Sequence, residues 1–150
     1  MKRVVFTWLA LVLAGVLCGC SHQDPVMGSL GRYESKEFYT SGGFQDFTDY
    51  AKYVYTSAAV QDLEDSKYFR LMTAEDVEEV LSYIENFEMW VEIIGGDLQE
   101  NYDFDKSVIS EGDFLCIKTG GGAYSSQFDS YSVYFFDTEV QTLYYFHNNI

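Results

Sequence analysis

The groups that could do chemistry in this chain are three cysteines, two histidines and 24 carboxylates, and most of them are badly placed for it. Cys116 lies in Phe114-Leu115-Cys116-Ile117, an apolar stretch in which a buried, inert thiol is the expected state, and no histidine neighbours it to activate a nucleophile. His22 and His147 stand far apart without a His-Glu-x-x-His pattern, so zinc and haem lack ligands. Asp103-Phe104-Asp105-Lys106-Ser107 begins like a calcium loop, but Val108 holds the place of the sharp-turn glycine and Phe114 that of the bidentate glutamate. Solvated acids in a turn are the better reading. Gly120-Gly121-Gly122 has no Gly-Lys-Ser/Thr after it and reads as a hairpin connection, not a phosphate loop. No serine falls in a Gly-x-Ser-x-Gly elbow. A carboxylate pair for glycan hydrolysis is compatible with so acidic a chain, yet nothing selects two acids from the 24. No catalytic residue, cofactor or metal ligand is therefore assigned.

The remaining two cysteines close a different kind of segment. Met1, Lys2 and Arg3 precede an uncharged run from Val4 to Leu17, and Leu17-Cys18-Gly19-Cys20 ends it. A basic start, a short apolar core and small residues make an export signal, and the run is too short for the roughly 18–20 residues a bilayer span needs. Leu17, Gly19 and Cys20 resemble the lipobox of bacterial lipoproteins, with Cys18 at the small-residue position. That resemblance implies cleavage between Gly19 and Cys20. It also implies a diacylglycerol thioether on Cys20, with further acyl chains such as palmitate. One chain binds a membrane only marginally, whereas two or three hold it stably. Ser21 in place of Asp then implies the outer membrane in a Gram-negative cell, and the outer face of the plasma membrane otherwise.

Charge narrows the partners. Loss of Lys2 and Arg3 with the signal leaves seven bases against 24 acids, a net charge near −17. The seven, Arg32, Lys36, Lys52, Lys67, Arg70, Lys106 and Lys118, are scattered, and nucleic acid needs them clustered. An anionic bilayer should repel so acidic a domain, which leaves the attachment to the lipid. With Cys18 removed, Cys116 and the modified Cys20 offer no disulfide, so the core must stabilise itself.

Residues 1–19 are thus expected to be a removed signal, 20–31 a polar tether, and 32–150 a single acidic domain, the size of one hydrophobic core. Aromatic residues make up 18% of the chain, which favours packing over disorder. Phe44, Phe47, Ala51, Val54 and Ala58 recur at helical spacing and predict a first helix over about Phe44 to Tyr55, although Tyr53-Val54-Tyr55-Thr56 also suits a strand. A second helix is predicted from the Thr73-Ala74-Glu75-Asp76 capping pattern through the stripe Val77, Val80, Leu81, Ile84, Phe87, Val91 and Ile94 to Gly95-Gly96. Its row of Glu78, Glu85, Glu88 and Glu92 reads as a solvated face.

Strands follow from Asp113, giving an expected α+β domain with two helices on a three- or four-stranded antiparallel meander. By parity, Val133, Phe135, Leu143 and Tyr145 are assigned to one face, and Tyr134, Phe136, Tyr144 and Phe146 to the other. Helices can cover one face. The second is either covered by the segment around Tyr33 to Tyr39 or exposed as an aromatic surface, so those last four residues are the candidate partner-binding group.

Phe44-Gln45-Asp46-Phe47-Thr48-Asp49-Tyr50-Ala51-Lys52, Tyr102-Asp103-Phe104-Asp105-Lys106-Ser107 and Leu143-Tyr144-Tyr145-Phe146-His147-Asn148-Asn149-Ile150 resemble small uncharacterised proteins of Clostridia-type bacteria. The resemblance implies a single module and carries no activity. Together these features point to a lipid-anchored, extracytoplasmic binding or inhibitor module whose partner is an envelope protein or glycan. A small envelope hydrolase with a carboxylate pair and a structural envelope protein are the alternatives.

Overall fold

The structure, a computed structural model, describes residues 24–42, 46–57, 59–120 and 125–150. Gly19 and Cys20 lie outside them. In chain order the elements are α1 (Pro25–Gly28), β1 (Ser35–Gly42), β2 (Phe47–Val54), α2 (Ala59–Glu64), β3 (Arg70–Leu71), α3 (Ala74–Ile94) and α4 (Gly96–Asn101). A 3-10 turn (Lys106–Val108), β4 (Phe114–Thr119), β5 (Ser130–Asp137) and β6 (Thr142–Asn149) complete them. The strands form one antiparallel sheet in the order β1-β2-β6-β5-β4-β3. The α+β class holds, but the sheet has six strands where three or four were expected.

Helix α3 follows its sequence signals closely. The Asp76 carboxylate accepts from both the Thr73 N–H and the Thr73 hydroxyl at 2.8 Å, which ties down the first turn. Val80, Tyr83, Ile84, Phe87 and Val91 form its buried stripe. At the far end Gly95 adopts a left-handed φ of 69° and donates to the Val91 carbonyl at 2.9 Å. Each fully buried side chain of this size contributes about 1.5–3 kcal/mol through loss of apolar surface from water. The stripe is thus the main anchor of the helix on the sheet.

The expected first helix is instead strand β2, with Phe44 and Ala58 outside the described residues. The misleading helical spacing has a physical cause. Tyr50 is buried on the α3 side of the sheet, while Ala51 and Tyr53 are buried on the opposite side. A strand covered on both faces carries apolar residues at odd and even positions alike, and the mixture imitates a helical stripe. Pairing on both flanks, to β1 and to β6, then fixes the extended form. Gly42 ends β1 with a φ of 125°; a Cβ there would lie 2.3 Å from the Asp46 carbonyl oxygen.

The face assignment in β5 and β6 also requires correction. Val133 faces Phe146, Tyr134 faces Tyr145, and Phe135 faces Tyr144 across the ladder. In this register every odd residue of β5 meets an even residue of β6, so residues of equal parity point to opposite faces. Val133, Phe135 and Phe146 belong to the core under α3, with Tyr144 packed against it. Tyr134, Phe136 and Leu143 belong to a second core on the other side, with Tyr145 packed against it. The cover of that second face comes from Val26 and Leu30 around α1 and from Leu63 and Phe69 around α2. The fold is therefore three layers, with the sheet in the middle.

Candidate functional site

Tyr134, Phe136, Tyr144 and Phe146 do not make a common exposed surface. Tyr134, Phe136 and Phe146 are buried, and the four divide between the two cores. The aromatic surface that does exist lies on the second face, toward the β1 edge, where α1 and α2 leave the sheet open. Phe38 is 44% exposed and Tyr33 39%. Phe47, Tyr145 and His147 are half-buried beside them. His147 sits 5.0 Å from the Phe47 ring and lies parallel to Tyr145 at 6.1 Å. Asp24, Met27, Phe38, Asp49, Tyr53 and Tyr145 line a shallow hollow of about 190 Å³ between this strip and α1.

The leader into the domain is fixed to this same face. Residues 24–30, expected to be part of a free tether, are folded: Val26 and Leu30 are fully buried in the second core. Asp24 caps α1 by accepting from the Val26 N–H at 2.8 Å, and its other carboxylate oxygen accepts from the Tyr134 hydroxyl. Burial pushes the Tyr134 phenol well above its ordinary value, and the bond to Asp24 adds to the shift. A neutral donor and a charged acceptor thus latch the leader to the centre of β5.

A polar row crosses the same face at one end. Lys118, Ser132, His147 and Asp49 are successive cross-strand partners on β4, β5, β6 and β2. The order Ser132, His147, Asp49 has the residue types of a nucleophile triad, but the bonding does not match one. His147 Nδ1 lies 2.8 Å from the Tyr131 carbonyl, so that nitrogen must carry the proton, and Ser132 Oγ approaches the same nitrogen at 2.9 Å. A protonated nitrogen cannot take the serine proton, and among the described residues no carboxylate bonds the ring. Cys116 is buried on this face as well, and burial raises its thiol above the ordinary value, which disfavours the reactive thiolate.

On the α3 side, Ser35, Glu37, Lys52, Val54, Thr142 and Tyr144 line a groove of about 320 Å³. Glu37 in this groove and Asp103 outside its lining could suggest a carboxylate pair, yet both bond the same Lys52 ammonium, at 2.8 and 2.7 Å. Burial resists the charge on Asp103, but hydrogen bonds from Lys52 and Tyr50 outweigh it and hold the carboxyl below its usual range. A general acid needs the opposite shift. Asp105 is likewise occupied, accepting from the Ser107 N–H at 2.9 Å. Among the described residues no group of three or more potential ligands is placed to hold a metal ion.

The bases missed by sequence reasoning are those that frame the aromatic strip. Lys36 Nζ lies over the Phe38 ring at 4.6 Å and the Tyr53 ring at 5.2 Å. Lys67 and Lys118 flank Tyr68 at 4.9 and 5.6 Å, and Lys118 also lies 5.4 Å from the Tyr134 ring. The Lys36, Phe38 alternation and the Lys67-Tyr68 neighbourhood were visible signals once both segments were known to lie on one side of a sheet. No helix among the described residues is long and apolar enough to cross a membrane. No family model matches the chain, and no curated protein or solved structure matches it either.

Proposed function

We propose that the protein is a bacterial lipoprotein, acylated on Cys20 and held at the extracytoplasmic side of the membrane, whose domain acts by binding and not by catalysis. The observation that supports this most strongly is the open aromatic strip of Tyr33 and Phe38, with half-buried Tyr145 beside them, next to the docked leader that follows the lipobox. Exposed rings beside bases make a contact surface, and the candidate catalytic groups are bonded or, for Cys116, buried in ways that oppose reaction. The anchor and the contact strip thus belong to one side of the molecule.

The test begins with mass analysis of the protein extracted from its own membranes. The expected N-terminal peptide starts at Cys20 and carries a diacylglyceryl group; a free Cys20 thiol overturns the anchoring. Phe38→Ser should leave the melting temperature nearly unchanged and weaken association with isolated envelopes. Unchanged association removes the strip from the function.

A further inference from the structure

We infer that the surface met by the aromatic strip is the anionic headgroup layer of the membrane that holds the anchor. The inference rests on the lipoprotein reading above and adds the orientation of the domain and the identity of its contact. Only four peptide steps separate Cys20 from Asp24, a reach of at most ~14 Å. Asp24 is latched to Tyr134 in the second layer, so the lipid holds that layer, and not α3, next to the bilayer.

Charge differs sharply between the two sides. Lys52, Arg70 and Lys106, the bases of the α3 side, are each ion-paired within 2.8 Å. On the leader side Lys36 and Lys67 rest on rings with no ion pair among the described residues, and Arg32 is exposed beside α1. Lys118 has only a 3.7 Å approach to Asp24. Among the described side chains the acids on this side are Asp24, bonded to Tyr134, together with Glu34, Asp49, Glu64 and Asp65, facing the four bases Arg32, Lys36, Lys67 and Lys118, whereas α3 alone exposes Glu75, Glu78, Glu79, Glu85 and Glu92. An anionic surface therefore repels the α3 side more strongly than the leader side, where the ammonium groups of Lys36 and Lys67 can reach phosphate while their stems lie along the rings. Tyr33 and Tyr68 are of the residue type that favours the water–bilayer interface, and Phe38 adds an exposed apolar ring on the same side. The net charge of the whole chain hides this polarity.

The experiment uses the mature acylated protein in vesicles of phosphatidylcholine with about one-third phosphatidylglycerol. A fluorophore is attached at Thr40→Cys, on the exposed part of the leader side, or at Ile93→Cys on α3, and a headgroup-linked quencher lipid is added. Quenching should be several-fold stronger at position 40 than at 93. The contrast should shrink in about 0.5 M salt, and also in Lys36→Glu/Lys67→Glu/Lys118→Glu, with circular dichroism confirming that this variant is folded. Equal quenching at both positions, or stronger quenching at 93, in protein whose Cys20 is acylated by mass overturns the orientation while the anchor stands. A bare Cys20 in the same mass spectrum removes the anchor, and the orientation with it.

Discussion

On the α3 side of the sheet, Lys52, Arg70 and Lys106 end on carboxylates at 2.6–2.8 Å, whereas on the α1 side Lys36, Lys67 and Lys118 lie over aromatic rings at 4.6–5.6 Å, and of these three only Lys118 comes near a described carboxylate, Asp24 at 3.7 Å. Both sides bury large aromatic cores, so the difference is not one of packing. It lies in what each side leaves available. Ion pairs use up the charge that forms them, while a base over a ring keeps its donors free for another anion. One side of this sheet has its bases closed in ion pairs; the other leaves bases and rings open together.

The comparison breaks first if the two cores are not both structural. Ile84→Ala and Leu30→Ala each delete a large aliphatic side chain from a fully buried site, one in each core, and each should destabilise the protein by about 2–5 kcal/mol in a denaturant series. A near-neutral Leu30→Ala would mean that the leader is a tether after all and that the second core does not extend to it.

The smallest expected effects sharpen the contrast in charge. Arg70→Ala removes exposed pairs to Asp76 and Glu79 and should cost no more than about 1 kcal/mol, and Glu85→Ala should be close to neutral. Acid should reveal the α3 side selectively. Hydrogen bonds from the Thr73 backbone, the Thr73 hydroxyl and Arg70 hold the Asp76 carboxyl below its usual range. The folded state thus binds the Asp76 proton less readily than the unfolded one. This contribution is complete above the unfolded value of about 3.9 and is lost as pH falls through the depressed folded value. Asp103 behaves in the same sense. Melting curves taken downward from pH 5 should lose stability in that window, and Asp76→Asn should lose less on the same descent because it has no carboxyl to protonate.

How far the fold could be read from sequence differs between the same two sides. Helix α3 was legible because one buried stripe, an acidic N-terminal turn and Gly95 all agree on its limits. Strands β4, β5 and β6 were legible from their aromatic and aliphatic runs, and the β5–β6 turn from Asp137-Thr138-Glu139, whereas most of the Gly120-Gly121-Gly122 connection lies outside the described residues. The α1 side was not. Strand β2 is buried on both faces and mimicked helical spacing, and α1 is a four-residue helix whose burial of Val26 depends on β2, β6 and β5 having already assembled. The site failed for a related reason. Parity identifies the faces of one strand, but which residues of two strands share a face depends on register, and the sequence around Asp137-Thr138-Glu139 did not reveal it. Lys36, Phe38 and Lys118 became a group only through a sheet order in which β2, distant in sequence, sits beside β6.

The proposed orientation requires residues 24–30 to belong to the fold, because only a docked leader would let an acyl anchor on Cys20 fix which side of the sheet meets the membrane. Hydrogen exchange on the mature acylated protein in micelles tests this directly. The amides of Gly28, Ser29 and Leu30 donate to carbonyls of Asp24, Val26 and Met27 at 2.8–3.2 Å. They should exchange far more slowly than free peptide, and Leu30→Ala should accelerate them more than it accelerates the amides of α3. Exchange at free-peptide rates in the wild-type protein would contradict the account, since the leader would then be a loose tether and the aromatic side of the sheet would have no fixed relation to the lipid.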